Sequence, residues 1–153
     1  MITFHENTDL FKFPADGFCH GVNCEGVVGG LASEVFRKFP EMFEVYQSIC
    51  WSNGLRGGNV LPFKFDYGDH RFVVYNLASQ VAPGASADLK FLESSCRLML
   101  AHAQANGVKS INCPMIGAGI GGLVWSDVER VLKDVFERVD GFVLQVVSRS
   151  TFG

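Results

Sequence analysis

The stretch PMIGAGIGGLVW, Pro114 to Trp125, decides the reading of this chain. It carries Gly117, Gly119, Gly121 and Gly122 between an apolar run and a helix-like pattern. Lys109 to Ile116 reads as a strand, and Ser126-Asp127-Val128-Glu129 fits a capping box opening a helix to about Val139. A glycine-rich turn between strand and helix can aim backbone N–H groups at an anion, helped by the helix N-terminus. A second stretch, VNCEGVVGGLASEVF from Val22 to Phe36, also runs from a strand end into a helix, with Gly26, Gly29 and Gly30 between. Two such loops can grip two sides of one phosphate-rich ligand, and a diphosphate is the natural size. Neither loop holds GxxxxGK[ST], which argues against a P-loop nucleotidase. GVVGGL is not GxGxxG, and no acid ends the next strand-like segment as a dinucleotide fold requires.

The rest of the chain supplies the frame. Met1 to His5 and Gly17 to Asn23 read as strands. Gly29 to Phe39 has Leu31, Val35 and Phe36 at helical spacing. Phe39-Pro40 is a break, and Pro40 suits the first position of a second helix with Met42, Phe43, Tyr46 and Ile49 as its stripe. Asn59 to Phe65 and Arg71 to Leu77 read as a strand pair around the turn-like DYGD. Ser86 or Asp88 can cap a helix through about Gln104, closed by Asn106-Gly107. Phe142 to Ser148 is a last strand. Strands and helices mostly alternate, which predicts an α/β chain with a mixed sheet between helices in three α/β/α layers. Ligands in such sheets bind beyond the carboxyl ends of the strands.

At 153 residues and 48% hydrophobic, the chain predicts one domain, residues 1–153, with a substantial core. Its net charge of −3 and lack of a basic run argue against strong non-specific nucleic-acid binding. No apolar run reaches the roughly 18 residues of a membrane helix, and MITFHENTD lacks the basic and apolar regions of a signal peptide. The expectation is a cytoplasmic protein without a membrane partner. Cys19, Cys24, Cys50, Cys96 and Cys113 form no CxxC pair and read as small hydrophobes in a reducing compartment. No clustered ligands point to a metal, and nothing calls for a cofactor.

On these residues the chain resembles the macro domain family, which binds ADP-ribose. The branch it resembles holds the terminal ADP-ribose glycohydrolases, the DNA ADP-ribosyl-glycohydrolase antitoxins, the macro domain of a chromatin remodeller and the yeast ADP-ribose-1″-phosphate phosphatase. The resemblance covers nearly the whole chain and rests on NTDLFKFPAD, HGVNCEGVVGGLA, RKFPEMFEVYQSIC and, most specifically, PMIGAGIGGLVW. It implies that Asp9 accepts the adenine amino group and that Leu10 donates a backbone N–H beside it. It places Asn23 at the distal ribose, with Gly29 and Gly30 over that ribose and the diphosphate. Gly117, Ala118, Gly119, Ile120 and Gly121 match the phosphate-holding second loop, and Phe152 offers an aromatic face to adenine. Without the resemblance Asp9 reads as a turn acid, Glu25 as a solvated acid and Trp125 as a packing residue, and Asn23 is equally a turn residue.

The chain also departs from the family. GVVGGLA is one residue shorter than the first loop of close relatives. Where the lysine-dependent glycohydrolases carry their nucleophile, just after the strand ending in Leu77, this chain reads Ser79-Gln80-Val81. Where their partner acid stands, it has Gly121. A Schiff-base route needs an amine, which glutamine does not offer. His20, three residues before Asn23, stands where the yeast phosphatase also has histidine and is a candidate to handle a proton, with a buried packing role as the alternative. The reading is an ADP-ribosyl glycohydrolase acting on modified protein or DNA, with His20 and Asn23 as the catalytic pair. An ADP-ribose-1″-phosphate phosphatase and a non-catalytic ADP-ribose reader are the alternatives, and a monomer is the expected state.

Overall fold

A computed structural model, described here for residues 1–152, shows a six-stranded sheet between two pairs of helices. In chain order the elements are β1 (Ile2–His5), β2 (Gly17–Val22), α1 (Gly30–Lys38), α2 (Pro40–Trp51), β3 (Val60–Asp66), β4 (Arg71–Ala78), α3 (Leu89–Ala105), β5 (Ser110–Cys113), α4 (Trp125–Phe136) and β6 (Val143–Val147). The strand order is β1-β6-β5-β2-β4-β3, parallel throughout except for the antiparallel β3–β4 edge. This is the mixed, three-layer arrangement that the alternating pattern implies.

Strand alternation divides the core in two. Cys19, Val73, Tyr75 and Leu77 face Leu92, Cys96 and Met99 of α3 and Val128, Leu132 and Phe136 of α4. Phe18, Val22, Val74 and Ala78 face Val35 and Phe36 of α1 and Met42, Tyr46 and Cys50 of α2. With both faces covered, the central strands must be apolar almost throughout, which is why they read as continuous runs.

Local chemistry sets the boundaries. Pro40 occupies the first turn of α2, where its missing N–H costs nothing. Asp88 caps α3, accepting from the N–H groups of Lys90 and Phe91. β5 is shorter than its apolar run because Pro114 has no N–H to continue the ladder. The expected box at Ser126 does not form. α4 begins one residue earlier, at Trp125, with Val124 at the N-cap and no side-chain cap, and it ends at Phe136. Four of the five cysteines are buried, Cys24 is half-buried, and all are free. No helix among the described residues is long and apolar enough to cross a membrane.

Candidate functional site

β2, β4, β5 and β6 run parallel, so their carboxyl ends open on one edge of the sheet. β2 pairs with β4 along its length but with β5 only at Gly17 and Phe18. From β2 the chain goes to β4 on one side and then crosses to β5 on the other. That reversal is a topological switch point, where a crevice opens by necessity. A cleft of about 380 Å³ occupies it, between the loops that follow β2, β4 and β5.

Gly21 forms part of the floor. A Cβ there would stand 2.8 Å from Ser79 Oγ and 3.4 Å from Ile116 Cγ1. The first loop rises from Asn23, whose side chain is its organiser. Asn23 Oδ1 accepts from the N–H groups of Glu25 (2.9 Å) and Val27 (3.4 Å) and from the Tyr46 hydroxyl (3.1 Å), while Nδ2 donates to Val27 O at 2.7 Å. The Tyr46 hydroxyl also donates to Asn23 O at 2.7 Å, and burial pushes its pKa up, so it stays a donor. The loop is tied to the next strand end by Cys24 N–H to Val81 O at 2.9 Å.

α1 follows with no side-chain cap. The N–H groups of Gly30, Leu31 and Ala32 therefore lack acceptors among the described residues, as an uncapped helix start leaves them, and these residues line the cleft. Facing them is the loop after β5. Gly117 (φ +75°) and Gly122 (φ +81°) turn the chain, and Leu123 N–H closes it onto Gly117 O at 2.8 Å. The N–H groups of Gly117, Gly119, Ile120 and Gly121 donate to no protein group among the described residues. Those of Gly117, Gly119 and Ile120, with those of Gly30, Leu31 and Ala32, belong to residues that line the one cleft.

Among the described residues, no acidic or basic side chain, histidine, cysteine or tyrosine lines this cleft. Its polar side chains are Asn23, Ser79 and Gln80. An anion here would have to be held by backbone dipoles. Nearby Cys24 is no ready nucleophile, because burial lifts its thiol to about 11. A second cavity of about 250 Å³ adjoins the first, sharing Leu31, Pro114 and Met115. Leu10 and Val147 supply its apolar walls, and Arg149 stands in it, donating to Glu34 at 2.7 Å. That bond holds the Arg149 guanidinium pKa above its ordinary value.

The chain and its fold are matched by known proteins. The model of the macro domain family matches residues 19–132. The chain belongs to the macro domain family. It is 27% identical over 140 residues to the DNA ADP-ribosyl glycohydrolase of Mycobacterium tuberculosis, covering 91% of this chain. It spans about 40% of that relative's length. The macrodomain of Mycobacterium tuberculosis DarG superposes with a TM-score of 0.88 at 26% identity, over 96% of this chain and 97% of that one. Thermosipho africanus DarTG, in complex with ADP-ribose, gives 0.82 at 25% identity over 92% of this chain and 39% of that one.

Within this macro domain the predicted residues separate. Asn23, Gly29, Gly30, Gly117, Gly119 and Ile120 line the cleft, and Leu10 lines the second cavity. Ala118 and Gly121 lie in the second loop but outside the lining. The Asp9 carboxylate accepts from Phe11 N–H at 2.8 Å and shapes its own turn. The structure places two of the predicted residues outside both linings. His20 is fully buried on the α1 side of the sheet, away from the cleft. Its Nε2–H donates to Asn76 Oδ1 at 2.6 Å, and its ring lies edge-on to Phe36. His20 shares its face of β2 with Val22, but Val22, two residues nearer the carboxyl end of the strand, reaches the cleft, whereas His20 lies deeper, under Phe36 of α1. Phe152 stacks on Trp125 at 5.9 Å and meets Phe4 edge-on, so its ring is engaged away from both cavities. Sequence reasoning missed Gly21, Ser79 and Arg149. The bare glycine next to a strand's carboxyl end was the available signal for the first.

Proposed function

We propose that this macro domain binds a terminal ADP-ribosyl group and hydrolyses its bond to a protein or nucleic-acid acceptor. The facing sets of unpaired N–H groups carry the reading. They suit a diphosphate, which needs many donors and tolerates the absence of a cation when dipoles replace it. The adjoining apolar cavity suits adenine, and Gly21 leaves room for the distal ribose beside Asn23 and Ser79. Kinship with a DNA ADP-ribosyl glycohydrolase supports the hydrolytic step. Water would add its hydroxyl to C1″ while the acceptor leaves with the proton. Binding would hold C1″ against one water, with the loop dipoles opposing developing charge.

A reader that holds ADP-ribose without turnover is the second reading, favoured by the lack of any titratable side chain on the cleft among the described residues. The phosphatase reading keeps the glycine loops but not His20, which is buried outside the cleft lining. Titration calorimetry with ADP-ribose, AMP and NAD tests the site, and selective micromolar binding of ADP-ribose is expected. Release of ADP-ribose from modified DNA or glutamate-modified protein then separates hydrolase from reader. No binding at millimolar ADP-ribose would overturn both.

A further inference from the structure

Among the described residues, no aromatic side chain lines the second cavity, the space that suits adenine. Leu10, Leu31, Met115 and Val147 give it aliphatic walls. Phe152, the ring expected near the base, stacks on Trp125 instead. The flat side-chain group left in the lining is the guanidinium of Arg149.

The fold fixes both ends of this side chain. Beyond β6 the backbone stays beside the segment that follows β1. Ser148 N–H donates to His5 O at 3.0 Å, Thr8 N–H to Ser148 O at 2.7 Å and Asn7 N–H to Ser150 O at 3.3 Å. Ser150 N–H also donates to Ser148 Oγ at 3.1 Å. At the far end, Arg149 Nη2 reaches Glu34 Oε1 at 2.7 Å. Glu34 lies on α1 three residues after Leu31, which puts the two on one face of the helix. The side chain thus spans from the strand that ends in Val147 to the helix that carries Leu31, the two opposite walls of the cavity. As an ion pair this bridge adds little to stability, because the arginine side chain is 59% exposed. What it does is hold a plane. The N–H groups of a guanidinium point outward in its plane, so a carboxylate bonded at the edge leaves both faces free to stack on a flat ring. The cation–π contacts within the described residues are made by Lys38 and Lys133, and Arg149 has none.

We propose that Arg149, held by Glu34, selects the base of the ligand by stacking its guanidinium on a purine ring. That a base occupies this cavity rests on the function proposed above; which side chain meets it is read from the lining. A purine offers a guanidinium a larger face than a pyrimidine does, so the site prefers it.

The test is titration calorimetry of the whole chain with ADP-ribose and with uridine diphosphate ribose, which differs from it in the base. Arg149→Ala should weaken ADP-ribose binding about fivefold and uridine diphosphate ribose binding less than about twofold. Arg149→Lys keeps the charge without the plane and should lose as much as the alanine variant. Arg149→Tyr keeps a flat face without the charge and should return to within about twofold of the parent chain. Urea midpoints of all three should stay near that of the parent, since the side chain is exposed. Unchanged binding in Arg149→Ala, rescue by lysine, no rescue by tyrosine, or equal losses for the two ligands would each overturn the proposal. Those results leave ADP-ribose binding by the parent chain, and with it the proposed function, standing. A parent chain that binds no ADP-ribose at millimolar concentration would overturn both.

Discussion

Ile120 lies against Gly30 across the mouth of the cleft. Gly30 adopts φ +55°, and a Cβ built on it would stand 2.7 Å from Ile120 Cδ1. The side chain that meets this bare backbone is itself 59% exposed. The first turn of α1 and the second glycine loop therefore close on each other through one contact, over the space assigned to the diphosphate.

Gly30→Ala should then act twice. The left-handed backbone costs a side chain about 1–2 kcal/mol of stability. The added methyl also pushes Ile120 from its place and should lower ADP-ribose affinity roughly tenfold. Ile120→Ala should leave stability within about 0.5 kcal/mol, since the residue is exposed, but speed ligand release. Calorimetry and stopped-flow dissociation check both. Unchanged affinity in Gly30→Ala would remove the first turn of α1 from the ligand site.

Gly21→Ala tests the floor. Its Cβ would force Ser79 Oγ, 2.8 Å away, to rotate and would take space assigned to the distal ribose. ADP-ribose should bind about tenfold more weakly. AMP, which has no distal ribose, should bind as it does to the parent chain. A parallel loss of AMP binding would mean that the substitution distorts the sheet instead.

These two glycines show what the sequence could reveal. Gly30 belongs to a motif, and the motif is legible because tight loops need particular residues at particular places. Pro40 and Asp88 were legible for the same reason, since each answers a local backbone demand. Gly21 and His20 were harder, because strand alternation fixes only that they face opposite ways. Which of them meets the cleft depends on how β2 sits between β4 and β5, a long-range matter. Phe152 was placed by kinship, but packing with Trp125 and Phe4 decides where its ring goes. At Ser126 a good local capping pattern yielded to a helix already begun at Trp125.

His20 makes stability depend on pH. Nε2–H is satisfied by Asn76, so Nδ1 carries the lone pair, and it has no partner in the core. Protonation would bury an unpaired charge, and desolvation lowers the pKa to about 4 from an ordinary 6.5, against a smaller opposing effect of the Asn76 hydrogen bond. The folded state thus binds its proton more weakly than the unfolded one. The stability is fully present above pH 6.5 and is lost progressively as pH falls toward 4. At pH 5 the loss is about 2 kcal/mol relative to neutral pH. Urea denaturation at pH 7.5 and pH 5 should show it, and His20→Gln should flatten that difference while ADP-ribose still binds. A parent chain equally stable at both pH values would mean that His20 is not held neutral in the core.

Catalysis should respond to pH differently from stability. A bell-shaped rate profile reports an acid and a base at work, and no titratable side chain among the described residues lines this cleft. Cys24 stays a thiol below about 11, and His20 neither reaches the cleft nor titrates near neutrality. If C1″ hydrolysis proceeds by positioning and backbone dipoles, single-turnover release of ADP-ribose should vary less than about threefold between pH 6 and 9. Its rate should be low, because general acid–base help of about 10²- to 10⁴-fold is missing. Modified DNA at saturating protein is the substrate for this measurement. A limb with a pKa near 7 would show that a group outside the cleft, or one on the acceptor itself, moves the proton. No release at any pH would leave the same N–H donors to hold ADP-ribose, and the domain would act as a reader.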